Sequence, residues 1–256
     1  MIEILSPSEV EAARPAGRFV GETLRHLRER TRVGTNLLEI DEWAAQRIED
    51  VGAVSCYVDY APSFGSGPFG HVICTSVNDA VLHGLPHDYA LRAGDLLTLD
   101  FAVSIDGWVA DAAITFSVGQ PATPDEQRMI DASEKALAAA ISRARAGNRV
   151  GDLSHAIGKT LKRAGFRVNT QFGGHGVGST MHQDPHIAND GRPGKGTVLR
   201  PGMLLAIEPW VMADTDELVV DDDGWTLRSA TGARTCHVEH TVAITSGDPI
   251  VLTRVD

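Results

Sequence analysis

A ten-residue pattern that occurs twice constrains this chain more than any other feature. Leu91-Arg92-Ala93-Gly94-Asp95-Leu96-Leu97-Thr98-Leu99-Asp100 and Leu199-Arg200-Pro201-Gly202-Met203-Leu204-Leu205-Ala206-Ile207-Glu208 both read L-R-x-G-x-L-L-x, then an aliphatic residue, then a carboxylate. Each copy follows a pair of segments with helical periodicity. Chance similarity between leucine-rich strands would not also align the glycine and the closing acid. The chain is therefore expected to form a single domain over 1–256, built from two similar halves of about 1–120 and 121–256 around a pseudo-two-fold axis. A site on that axis would receive one strand-end carboxylate from each half.

The first helix pair is expected over 8–30 and 37–50. Val20, Leu24 and Leu27 give the first segment an apolar stripe, and Pro15 within it predicts a kink or a late start. Leu37, Ile40, Ala44 and Ile48 mark the second segment, and Gly52 ends it. In the second pair, Thr123-Pro124-Asp125-Glu126 reads as a capping box with proline at the first helical position. The alanine-rich run behind it continues to Gly147, and a shorter helix follows from about Asp152 to Gly165. Apolar, β-branched stretches at 71–77, 96–105, 108–118, 203–212 and 236–244 read as strands. The class is mixed α/β (α+β).

Composition narrows the partners. With 43% apolar and 22% charged residues, the chain is of ordinary globular composition and long enough to bury a core. A net charge of −11 repels phosphate backbones, so no nucleic-acid partner is expected. The basic run Arg25, Arg28, Arg30 and Arg32 reads as a solvated helix face. No stretch approaches the ~18 apolar residues of a membrane span, and the N-terminus lacks a secretory pattern. Cys56, Cys74 and Cys236 are odd in number and widely spaced, which fits a reducing compartment. A cytoplasmic chain with no membrane partner is expected.

Several acids stand where acids are costly. Asp100 closes the apolar run Leu96–Leu99, and Asp111 interrupts Trp108–Ile114. Asp106-Gly107 between them reads as a hairpin turn, which brings the two acids side by side. A divalent cation would relieve their repulsion. Either acid alone could equally be satisfied by backbone N–H groups or an arginine. In Gly173-Gly174-His175-Gly176-Val177-Gly178, glycines allow close approach of the backbone to a ligand. The run lacks the spacing and the lysine of phosphate-cradling loops, so His175 reads as a metal ligand. Glu208 closes the second repeat, and Glu239 lies in the apolar stretch Cys236–Val242. Cys236, His237 and His240 raise a zinc cluster, but their spacing matches none of the usual fingers, and no H-E-x-x-H occurs. Four carboxylates and one imidazole suit Mn, Fe or Co, and zinc less exclusively.

Taken together, the segments resemble a type I methionine aminopeptidase of the short bacterial kind. The resemblance rests on S-V-N-D-A-V-L-H-G-L-P at 76–86, G-D-L-L-T-L-D-F at 94–101, D-G-W-V-A-D-A-A-I-T-F at 106–116 and G-G-H-G-V-G at 173–178. It extends through H-Q-D-P at 182–185, P-G-M-L-L-A-I-E-P at 201–209 and H-V-E-H-T-V at 237–242. It implies the pita-bread fold, a curved antiparallel sheet with outer helices and internal pseudo-two-fold symmetry. It implies two divalent metal ions (Co, Mn, Fe, Zn or Mg) and allows an additional monovalent cation. Asp100 would bind one metal, Asp111 and Glu239 would bridge both, and His175 and Glu208 would complete the other. Water activated between the cations would be the nucleophile, with Glu208 taking its proton. His182 would donate toward the scissile carbonyl, and His83 would contact the scissile nitrogen or leaving group.

The resemblance further implies a methionine pocket lined by Phe69, Cys74, Met181 and Trp225. Plain core packing is the competing reading of these four, Cys74 above all. The implied reaction removes the N-terminal methionine of peptides and nascent chains when the second residue is small. The implied state is a monomer with transient ribosome contact. The chain departs from many relatives at Val109, at Gln183 and in the loop 61–70, which lacks the tyrosines often found there. Two rivals remain: a proline-specific aminopeptidase or prolidase with the same metal set, and a pita-bread binding module that has lost catalysis.

Overall fold

The computed structural model describes residues 2–62 and 67–255. Four helices, α1 (Pro7–Arg30), α2 (Leu37–Val51), α3 (Pro124–Arg143) and α4 (Val150–Arg163), are interleaved with the strands. The first half holds β1 (Val54–Ser55), β2 (Cys74–Val77), β3 (Ala80–Leu82), β4 (Leu96–Ile105) and β5 (Trp108–Ser117). The second half opens with β6 (Gly173–Val177), β7 (Gln183–Ala188), β8 (Leu204–Ile207) and β9 (Trp210–Met212). It continues with β10 (Leu218–Val220), β11 (Leu227–Ser229), β12 (Thr235–His237), β13 (Glu239–Ala243) and β14 (Ile250–Val251).

Three of the four helices begin at built caps. Ser6 with Glu9, Asn36 with Glu39, and Thr123 with Glu126 each close a capping box. The first box starts α1 at Pro7, so Pro15 does not delay it. Helix α2 stops at Gly52, whose φ of 67° needs no Cβ-bearing residue. Helix α3 ends at Arg143, short of the expected Gly147, because Ala144 already leaves helical geometry at ψ 58°.

The main sheet runs β1-β4-β5-β13-β8-β6-β7, with β2 also on β4 and β14 on β13. Its pairings are antiparallel throughout. Outward from the seam between β5 and β13, β4 pairs with β5 on one side and β8 with β13 on the other. The repeat copies occupy β4 and β8, one strand out from the seam on either side, so the internal repeat is a symmetry of the sheet. The hairpin β4–β5 carries ten register pairs, from Leu96↔Ser117 to Ile105↔Trp108, and the seam only two, Glu239↔Ala113 and His240↔Ala112.

Strand periodicity decides which side chains face inward. Leu97, Leu99, Phe101 and Val103 of β4, with Ala110, Ala112 and Phe116 of β5, pack under α1 and α2. Leu205, Ile207 and Val242 pack under α3 and α4 with Met129, Leu153 and Leu161. The alternate positions, including Ala102, Val109, Val177, Leu204 and Ala243, line the opposite, concave face. Asp100, Asp111, His175, Glu208 and Glu239 all share the parity of that inner face.

Two expected strands are each divided. The run 203–212 splits into β8 and β9 at Glu208-Pro209, where proline cannot donate to a ladder. The run 236–244 splits at Val238 into β12 and β13. The breaks lie together, with the Val238 amide reaching the Pro209 carbonyl at 3.5 Å. Beyond them, β9 and β12 form a separate two-stranded sheet. Glu208 and Glu239 stand at the point where both strands leave the main sheet.

Candidate metal centre

Hairpin register places Asp100 opposite Ala113 and Asp111 opposite Ala102, so the two acids are diagonal neighbours on one face. The buried Tyr57 hydroxyl donates to Asp100 Oδ1 at 2.7 Å and reaches Asp111 Oδ1 at 3.3 Å. Thr241 of β13 holds the Asp111 backbone from across the seam. Its Oγ1 accepts from the Asp111 amide at 2.9 Å and donates to the Asp111 carbonyl at 2.8 Å.

The second half supplies the rest. Of the glycines at 173–178, read as allowing close approach to a ligand, Gly173 lines the cavity described below, and those within strand β6 also press on neighbouring strands. A Cβ on Gly174 would lie 2.3 Å from the Ala206 carbonyl oxygen, and one on Gly176 2.1 Å from that of Asp184. His175 Nδ1 lies 2.9 Å from the Gly176 carbonyl, which can only accept, so this nitrogen carries the proton. The bare Nε2 then faces Glu208 Oε1 at 3.7 Å. Trp210 Nε1 donates to Glu208 Oε2 at 2.8 Å.

Burial sets the charges. Desolvation, then the nearby Glu239, Asp100 and Glu208 carboxylates, push the Asp111 carboxyl well above its usual range. Desolvation does the same to Glu239, aided by Glu208 and Asp100. Glu208 is pushed up to about 7 by burial, and Asp100 is raised for the same reason. Desolvation, then repulsion from His182, lowers His175 to about 3, so its ring is neutral.

These residues floor a cavity of about 260 Å³. Phe69, Cys74, His83, Met181, His182 and Trp225 line its walls together with Asp100, Asp111, His175, Glu208 and Glu239. All eleven positions singled out in the sequence thus surround one space. Trp225 stands edge-on to Phe69 at 5.2 Å between ring centroids and to His83 at 6.1 Å. The His182 ring meets that of His175 at 4.4 Å. Burial lowers His83 to about 3 and also lowers His182. Cys74 is buried, and its thiol is driven well above its ordinary value by desolvation and the nearby acids. Asp41 of α2 anchors the segment behind Phe69: its carboxylate meets His71 Nδ1 at 2.7 Å and accepts the Val72 amide at 2.9 Å.

Sequence reasoning passed over several of these neighbours. Tyr57 and Tyr60 enter the cavity from just upstream of the loop 61–70, four residues of which, 63–66, lie outside the described residues. Tyrosines thus reach the cavity from just before the loop, beside Phe69 of the loop itself. Nothing periodic marks either tyrosine. Of the Cys236/His237/His240 group, Cys236 turns outward to Ser133 at 3.2 Å, and His240 pairs with Thr253 at 2.8 Å. His237 alone faces the acids.

The donor set fits divalent cations. Four buried carboxylates converge with no lysine or arginine among the lining residues. Glu239 Oε1 is buried without a hydrogen-bond partner. Uncompensated acids at this density are costly unless cations join them. Asp111, His175 and Glu239 offer ligand atoms within 4.8 Å of one another, and so do Glu208, His237 and Glu239.

Fold and site together define a pita-bread metallohydrolase. Residues 11–246 match metallopeptidase family M24, and the chain belongs to that family. It is 37% identical to a methionine aminopeptidase of Aquifex aeolicus over 99% of both chains. It is 40% identical to methionine aminopeptidase 1 of Mycobacterium tuberculosis, over 97% of this chain and 93% of that one. The crystal structure of a methionine aminopeptidase from Thermotoga maritima superposes with a TM-score of 0.94 at 35% identity, covering 100% of both chains. The prolidase of Pyrococcus furiosus shares the fold at a TM-score of 0.76 and 20% identity, but only 66% of that chain is covered.

Proposed function

We propose that the chain removes the N-terminal methionine from peptides and nascent proteins whose second residue is small, as a metal-dependent aminopeptidase. The observation that carries this reading is the placement of four buried carboxylates and a neutral imidazole in one cavity lined also by Phe69, Met181 and Trp225. Full-length similarity to methionine aminopeptidases supports the substrate. Asp100, Asp111, His175, Glu208 and Glu239 would hold two divalent ions. Such ions would supply Lewis-acid activation of water and of the scissile carbonyl. Oxygen-rich ligation favours Mn, Fe or Co, with Zn and Mg as further candidates and a monovalent cation as an accessory.

The protein's own groups do the rest. Glu208, which burial raises to about 7 in the metal-free site, would accept and return the proton of the reaction. His182 and His83 are kept neutral by burial, so each offers one N–H without bringing a charge to the cavity. His182, beside His175, would donate to the carbonyl oxygen as charge develops there. His83 would contact the scissile nitrogen. Phe69, Cys74, Met181 and Trp225 would take the methionine side chain, a polarizable thioether suited to aromatic edges. A cavity of about 260 Å³ would take the first residue of the peptide, so that cleavage would follow that residue.

The domain is read as one catalytic unit, 1–256, of two halves near 1–120 and 121–256. No helix among the described residues is long and apolar enough to cross a membrane. The three cysteines are free, which supports a cytoplasmic setting. A monomer in transient contact with the ribosome is the assembly proposed. The test is cleavage of Met-Ala-Ser against Xaa-Pro peptides by metal-free protein reloaded with Mn, Fe, Co, Zn or Mg. Release of free methionine is expected; preferential cleavage of Xaa-Pro bonds would reject the reading.

A further inference from the structure

His237 belongs to no role assigned so far, yet it is the most enclosed titratable side chain at the centre, with 0% of its surface exposed. Its backbone is held by a hydroxyl and its ring is faced by an indole. The His237 amide donates to Thr115 Oγ1 at 3.1 Å, and that hydroxyl donates to the His237 carbonyl at 2.6 Å. Trp210 stands across the ring at 6.0 Å between centroids, and the two residues are register partners in β9 and β12. Despite this fixation, neither ring nitrogen has a hydrogen-bond partner.

The ring nitrogen Nε2 faces two acids, at 3.7 Å from Glu208 Oε2 and 3.5 Å from Glu239 Oε2. Those separations are long for hydrogen bonds, which weaken beyond about 3.2 Å. They are right for two donors that share one ion. With bonds of about 2.0–2.2 Å, an ion can join donors up to about 4.2 Å apart. His175 stands off Glu208 Oε1 by the same 3.7 Å. Glu208 is thus flanked by an imidazole at each oxygen, and the two donor clusters each contain one imidazole and share Glu239.

We propose that His237 is a metal ligand, binding through Nε2 a divalent ion that it shares with Glu208 and Glu239. The inference rests on the metal-dependent reading above and extends it. The centre becomes four carboxylates and two imidazoles. A second nitrogen donor shifts preference from oxygen-seeking ions such as Mg and Mn toward Co and Zn.

The test uses the full chain, stripped of metal and titrated with zinc, with its histidines labelled with 15N. Two imidazoles should move to metal-bound nitrogen shifts in the wild type, and one in His237→Gln. The variant should lose at least about tenfold in zinc and cobalt affinity, the lower bound seen for groups one step from a metal, and less for Mn. The circular dichroism of the metal-free variant verifies its fold; should it fail to fold, the wild-type spectrum decides alone. A single metal-shifted imidazole, or wild-type zinc affinity in a folded variant, would overturn the role of His237 and leave the aminopeptidase reading standing. A wild type that takes up no divalent ion would overturn both.

Discussion

Side chains with opposite demands meet at this centre. Asp100, Asp111, Glu208 and Glu239 are all buried and held above their usual range, while His175 is kept neutral. Replacing Asp100 with asparagine keeps the shape and removes a charge. Turnover should fall at least about 100-fold, the upper end for groups one step from a metal, with circular dichroism unchanged. Tyr57→Phe removes the donor to Asp100 and should lower the stability of metal-free protein by about 1–3 kcal/mol in urea unfolding. Of these residues, the acids were legible because each interrupts an apolar run, where burial makes a carboxylate conspicuous. Tyr57 and His237 were not. A tyrosine 43 positions before its acid partner announces nothing locally, and His237 shared its signal with two neighbours that face elsewhere.

Among the elements, helices with capping boxes and the long β4–β5 hairpin follow from local pattern, and their bounds were legible to within a few residues. The divided strands were not, since an apolar run looks continuous whether or not it changes sheets. The glycines of β6 carry a second constraint that the sequence did not announce. Glycine weakens a strand locally, yet here the neighbouring backbones leave no room for a Cβ. Gly176→Ala should therefore cost roughly 1–3 kcal/mol, as overpacking does, and should weaken metal binding through displacement of His175, read by titration of the metal-free protein. Asp41 is the corresponding device on a helix. Asp41→Ala should release the segment carrying Phe69 and raise KM for methionyl peptides more than it lowers kcat, as steady-state kinetics would register.

For the molecule as a whole, the antiparallel pita-bread sheet was the most legible feature, because the two copies of a repeat that ends in carboxylates take up β4 and β8 on either side of one seam. The electrostatics of the assembled centre follow from that placement. A cation entering the metal-free site must displace protons from Glu208 below pH of about 7, and from Asp111 and Glu239 as well. His175, at about 3, offers no such competition over this range. Metal affinity should thus rise with pH up to and through 7, and protons should be released on binding, as calorimetry in buffers of different ionisation enthalpy would measure.

The seam between β5 and β13 is a narrow join in the main sheet, with two register pairs against ten in the neighbouring hairpin. Ligands from both sides of it, Asp111 and Glu239 among them, converge on one place. Ions held there would act as rivets, adding to joins such as the β3–β11 pairing and the Arg228–Asp79 ion pair. After a cut in the connection at 118–123, between Ser117 and Pro124, the two fragments should hold each other more tightly with added metal and less tightly with a chelator.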